Sequence, residues 1–211
     1  MAYSAVLIFV CFFVPALCTG QYVCKNDVGD THSNGACHVT THSLVHPMTS
    51  EDVTFIDDQI KEWHFHVYWF QTNMESYDAA MRFRQELLEQ VQNKKFIVIF
   101  PGVTEEMVPG LDESKLPHIN TEPRGPHPCG SYEVWVPKEY VAEALDYFMR
   151  RRGDLTILIH PLATHAVEDH SHRAMWLGSP YTIDFAAFHG SADPVQMVSQ
   201  YPELGLGYAA P

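Results

Sequence analysis

The sequence predicts an α+β domain of the ferredoxin-like βαββαβ kind, and three observations predict it. Short runs rich in β-branched and aromatic residues recur at Trp63–Phe70, Phe96–Phe100, Tyr132–Val136 and Leu155–His160. Segments with helical period separate the first from the second and the third from the fourth, so the order is strand, helix, strand, strand, helix, strand. The 211 residues are 46% hydrophobic and 18% charged, a balance that buries one ordinary core. In this topology the first strand lies between the third and fourth, and both helices cover one face of the sheet. The other face needs cover from extra segments or from a second copy, so a homodimer is expected.

Residues 1–20 read as a signal peptide. Ala5 to Leu17 carries no charge and runs into the small residues Ala16, Cys18 and Gly20, which places cleavage near Gly20 and Gln21. No Lys or Arg precedes the run. The reading predicts a secreted chain, extracellular or in the lumen of the secretory pathway. The rival reading is an uncleaved anchor, which the run disfavours by being shorter than the roughly 20 residues a membrane span requires; after cleavage no membrane association is expected. Residues 21–61 form a polar extension. Of the cysteines left after cleavage, Cys24 and Cys37 are close enough to close a short loop and are expected to pair, leaving Cys129 as a small, partly buried thiol. His38, His42 and His46 fall at fourfold spacing, but Val39, Thr40 and Thr41 between them favour extended chain, and a solvated loop is expected.

The core domain is expected over residues 62–190. Along its first strand Phe65, Val67 and Trp69 share one face, and His64, His66 and Tyr68 the other. Ser76 is placed to cap a helix reaching about Asn93, with Ala80, Phe83, Leu87 and Val91 as its apolar stripe. Phe96–Phe100 has the length and composition of a buried strand. Pro101 to Gly130, with six prolines and four glycines, reads as one long loop of the kind that carries function. Pro137 opens a second helix with the stripe Val141, Ala144, Leu145 and Phe148, closed by Arg150–Gly153. A His- and Asp-rich loop and the segment Met175–Leu177 follow the last strand, and residues 191–211 are a carboxy-terminal tail.

Acidic residues outnumber basic ones 26 to 13, for a formal charge of −13. Such a chain repels nucleic acid and anionic membranes. The sequence holds no phosphate-binding glycine loop, no Gly-x-Ser-x-Gly elbow and no His-Glu-x-x-His. It is rich instead in histidine, with 13 residues. Imidazole is the commonest metal ligand and the usual proton carrier near neutral pH. His64 and His66 lie on one side of the first strand. His160 ends the neighbouring strand, His127 is braced in Gly125-Pro126-His127-Pro128, and His170 and His172 follow in the next loop. Imidazoles offered by separate rigid elements are what a divalent transition metal requires, with Asp169 a candidate acceptor behind them. Glu133 is on the right face to add a carboxylate. Tyr68 and Tyr132 read as packing residues, and Arg124 and Arg173 as surface charges, although either arginine is placed to clamp a substrate carboxylate.

The ordered set Trp63–Tyr68, Gly125–Pro128, Arg152–Pro161, Asp169-His170 and Ala174–Gly178 resembles the DOPA 4,5-dioxygenase family over about Glu62 to Asp184. That resemblance implies a dimeric α/β-barrel architecture and an iron(II)-dependent, extradiol cleavage of the catechol ring of DOPA or a related catechol by O2. Zinc or another divalent metal is the alternative to iron. By position, the resemblance carries over His64, His66, His127, His160 and His170. Our expectation gives His66, His127 and His160 to the metal and His64 or His170 to acid/base work. Leu162-Ala163-Thr164-His165 departs from the short Thr-Gly-type turn common after His-Pro in the family. The alternative function is a secreted, non-catalytic metal- or catechol-binding protein on the same scaffold.

Overall fold

Alternation along β1 (Glu62–Trp69) organises the fold. Every second side chain is apolar and faces the helices, while His64, His66 and Tyr68 face away. The computed structural model describes residues 60–189 and 200–211, so the expected signal peptide, the Cys24–Cys37 pair and His38, His42 and His46 lie outside the described residues. No helix among the described residues is long and apolar enough to cross a membrane.

After β1 come α1 (Met74–Gln92), β2 (Ile119–Asn120), β3 (Gly130–Pro137), α2 (Val141–Arg151), β4 (Thr156–Pro161), α3 (Ala166–Asp169) and β5 (Met175–Leu177). The sheet is antiparallel throughout, in the order β2-β3-β1-β4-β5. As expected, the first strand, β1, lies between β3 and β4, the strands read as third and fourth in the sequence. The fold is therefore α+β around a five-stranded antiparallel sheet.

Four local expectations shift. Pro137 ends β3 instead of opening a helix: one 3-10 turn over Lys138–Tyr140 follows, and α2 starts at Val141. The segment 96–100 does not form a full strand: only Ile99 pairs, exchanging two backbone bonds with Trp135 at 2.9 and 2.8 Å. Ile119–Asn120, inside the expected loop, takes the next stretch of the same β3 edge opposite Tyr132 and Ser131. Helix α1 begins before Ser76. Asn73 is the cap, its side-chain oxygen accepting from the Ser76 N–H, and the Ser76 hydroxyl instead accepts from the Phe70 N–H. Asn and Ser are equally good caps, and the one that fits the exit from β1 wins.

The core lies between the sheet and α1 and α2. Phe148 sits edge-on to Phe65 and Phe83 with ring centroids 5.0 and 4.9 Å apart, joining both helices to β1. Each such side chain contributes about 1.5–3 kcal/mol by leaving water. The opposite face is covered in part by the chain itself: Tyr68, Cys129, Leu158 and Ile183 form a second, smaller cluster with Trp176, Tyr181 and Phe188 packed on it. Residues 200–211 also pack on the domain. Tyr201 is fully buried, and the Tyr208 hydroxyl donates to the Leu162 carbonyl at 2.6 Å.

Candidate metal centre

On the face away from the helices, β1 sets His64 opposite His160 of β4, and His66 opposite Glu133 of β3. Register alone thus collects three imidazoles and a carboxylate. His127 joins from a two-residue turn: Arg124 and His127 exchange backbone bonds, and Gly125 adopts φ +57°, where a side chain would be strained. The Asp184 N–H ties that turn to the covering segment through the Pro126 carbonyl. His170 follows the short helix α3. These residues line a cavity of about 250 Å3, walled on its apolar side by Leu162, Ala163 and Ala166. His172 is exposed and does not line it.

The hydrogen bonds behind the rings decide what the rings present. His64 Nδ1 lies 2.5 Å from Glu133 Oε1, so it donates to the carboxylate. Its Nε2 is buried and has no hydrogen-bond partner among the described residues. His160 Nδ1 donates to the Pro161 carbonyl at 2.8 Å, and His170 Nδ1 to the Ala166 carbonyl at 2.9 Å. In all three, the proton is on Nδ1 and the lone pair on Nε2. Backing of this kind orients metal-binding imidazoles and fixes their tautomer. His66 Nε2 and His160 Nε2 are 3.0 Å apart. Two nitrogens each about 2.1 Å from one ion, at a right angle, show about that separation. The protein alone satisfies the contact with a proton on His66 Nε2, and no hydrogen bond among the described residues pins His66 Nδ1 against receiving that proton instead.

Among the described residues, two triplets bring their ligand atoms within 4.8 Å of one another: His64, His66 and His160; and His66, His127 and His170. An orphaned buried nitrogen, fixed tautomers and an all-imidazole donor set fit a divalent transition metal.

Electrostatics agree with neutral rings. Burial, reinforced by the neighbouring imidazoles, holds His66 and His160 well below the ordinary histidine value. Burial and His170 bring His127 down to about 4, and burial lowers His170 as well. Burial would raise Glu133, but His64 outweighs it and keeps the carboxyl below its usual range. Asp169 plays a different part from the one the sequence indicates. It accepts from the Ala163 N–H at 2.8 Å and from Arg173 at 3.2 Å, bracing the cavity wall rather than an imidazole. Arg173 is also paired with Glu168, so its charge is spent within the chain.

Sequence reasoning singled out all five histidines and Glu133, and the structure brings all six together. It missed the wall residues Leu162, Ala163 and Ala166, which carry no chemical signal. It read Tyr68 as packing, yet the Tyr68 hydroxyl lies 2.7 Å from His127 Nδ1. Its place in alternation with His64 and His66 was the available signal. Cys129 is buried, as expected, and burial pushes its thiol up to about 11.

The chain resembles a DOPA 4,5-dioxygenase of Amanita muscaria, 36% identical over 157 residues. The match takes in 74% of this chain and 61% of that protein, so the chain spans about three fifths of its relative's length. A crystal structure described as that of a candidate dioxygenase from Nostoc punctiforme is 27% identical, with a TM-score of 0.49 over 63% of this chain and 95% of that one. The profile of the Dopa 4,5-dioxygenase family matches residues 63–187, the stretch that contains every histidine of the cavity, and the chain belongs to that family.

Proposed function

We propose that this chain is a secreted, iron(II)-dependent dioxygenase that opens the catechol ring of DOPA or a close analogue in the extradiol manner. The observation that carries the reading is the cavity itself, in which buried imidazoles backed by fixed acceptors face a space of about 250 Å3 with one apolar wall. Family membership supports the substrate class. A homodimer remains the expected assembly.

His64, His66 and His160 would hold the metal. The sequence expectation placed His127 in that set and His64 among the acid/base groups. Its fixed Nδ1–H and orphaned Nε2 favour His64 as a ligand. A bound iron(II) supplies Lewis acidity toward the catechol hydroxyls and redox access to dioxygen. The rest falls to side chains of this chain. Leu162, Ala163 and Ala166, which wall the cavity, would lie against the ring and keep water from it. His170, neutral because burial lowers it and with Nδ1–H held by Ala166, presents Nε2 as the base for a catechol proton. Glu133 keeps His64 in its ligating tautomer.

The test is oxygen uptake by the mature chain prepared anaerobically with iron(II), then given L-DOPA and air. The expected result is uptake with a yellow ring-opened product, lost in His66→Ala. Tightly bound metal without uptake on any catechol would favour the binding-protein alternative.

A further inference from the structure

The imidazoles of the cavity are not equivalent, and the difference lies in the groups behind them. Carboxylate and carbonyl oxygens accept from Nδ1 of His64, His160 and His170, which leaves lone pairs at Nε2. Behind His127 stands a hydroxyl, which both donates and accepts. Tyr68 is 1% exposed, and its contact with His127 is the one hydrogen bond its hydroxyl makes among the described residues. If His127 Nδ1 donated, the buried Tyr68 O–H would have no acceptor, at a cost of about 1–3 kcal/mol. With Tyr68 donating, both groups are satisfied. His127 then carries its proton on Nε2, the nitrogen left for the cavity.

From this arrangement we infer that Tyr68 is a positioning residue that makes His127 a hydrogen-bond donor to an anionic oxygen of the bound catechol, and not a metal ligand. The inference rests on the proposed ring-cleaving reading for its substrate and on hydrogen-bond geometry for the tautomer. His66, by contrast, is free to move its proton to Nδ1 and ligate. His127 can ligate through Nε2 only by stranding the Tyr68 proton. The Tyr68 ring is itself held, stacked on Trp176 at 5.9 Å and against Tyr181 at 5.4 Å, which keeps its hydroxyl oxygen beside His127 Nδ1. A neutral imidazole N–H facing negative charge on a substrate oxygen is worth about a hundredfold in kcat when removed.

The test uses the zinc-loaded full chain, labelled with 15N at histidine, and reads the ring nitrogens by NMR. The expected spectrum has His127 protonated at Nε2 and bare at Nδ1, with His64 and His160 protonated at Nδ1. In Tyr68→Phe, His127 is expected to show mixed tautomers, with zinc affinity unchanged. Were His127 a ligand, Tyr68 would be its outer partner and Tyr68→Phe would cost about 10–100-fold in metal affinity. His127→Gln should bind zinc like the parent chain and lose about a hundredfold in kcat with L-DOPA. A protonated Nδ1 on His127, or loss of zinc from His127→Gln, overturns the inference. The spectrum of the unsubstituted chain decides even if a variant fails to fold. Absence of oxygen uptake by the unsubstituted chain would count against ring cleavage and leave the tautomer result standing.

Discussion

His66 and His160 stay neutral in the fold because burial penalises their charge before any neighbour does. His127 and His170 are lowered for the same leading reason. Their folded pKa values lie below the value of about 6.5 they recover on unfolding, so the unfolded chain binds more protons in that window. Their contribution to stability is present above about pH 6.5 and is lost as pH falls toward the folded values, about 4 for His127. Chelator-treated protein should therefore melt at lower temperature at pH 5 than at pH 8, and bound zinc should oppose the loss above pH 6. Equal melting temperatures across that range would contradict neutral, buried rings. At this scale the sequence was informative because histidine is scarce in most chains and its alternation on the first strand is unambiguous. Roles were less legible. Which nitrogen a ring presents depends on Glu133, the Pro161 carbonyl and the Tyr68 hydroxyl, and those contacts cross strands.

Among the elements, β1, α1 and α2 meet in a buried aromatic joint. Phe148 is fully buried between Phe65 and Phe83. Phe148→Ala should cost about 3–5 kcal/mol in urea unfolding, with no change in zinc stoichiometry in the protein that remains folded. A loss under 1 kcal/mol would show that the helices do not depend on this contact. Gly130 opens β3 where Trp69 crosses it: a Cβ there would lie 2.3 Å from the indole nitrogen and 2.4 Å from the adjoining carbon. Gly130→Ala should destabilise by about 1–3 kcal/mol, because the buried ring has no room to withdraw. Both strands flanking β1 could be read from composition and both helices from their apolar stripes, but not the helix starts, which fall at the Asn73 cap and at Val141. The edge could not. Phe96–Phe100 has a strand's composition, but Pro101 follows it, and the short Ile119–Asn120 strand takes part of the same β3 edge. A two-residue strand inside a proline-rich segment leaves no periodic trace.

Across the described residues, the larger hydrophobic core lies on one side of the sheet and the histidine cavity on the other. The helices close the first side. The segment after β4 closes much of the second, through Tyr68, Leu158 and Ile183 on one flank and the walls at Leu162 and Ala163 on the other. The sequence posed the cover of that face as a choice between extra segments and a second copy, and the chain supplies at least part of it. The carboxy-terminal residues, expected as a tail, reach the same region through the Tyr208 bond to Leu162. Such docking has no local signature, since it depends on where β1 and β4 bring the chain. The proposed insertion of dioxygen into a catechol ring is tested by mass spectrometry of the L-DOPA product formed under 18O2 by the iron(II)-loaded chain. The expected result is a ring-opened product containing both labelled atoms, absent in His66→Ala. Unlabelled DOPA, or an oxidised product with its ring intact, would contradict it.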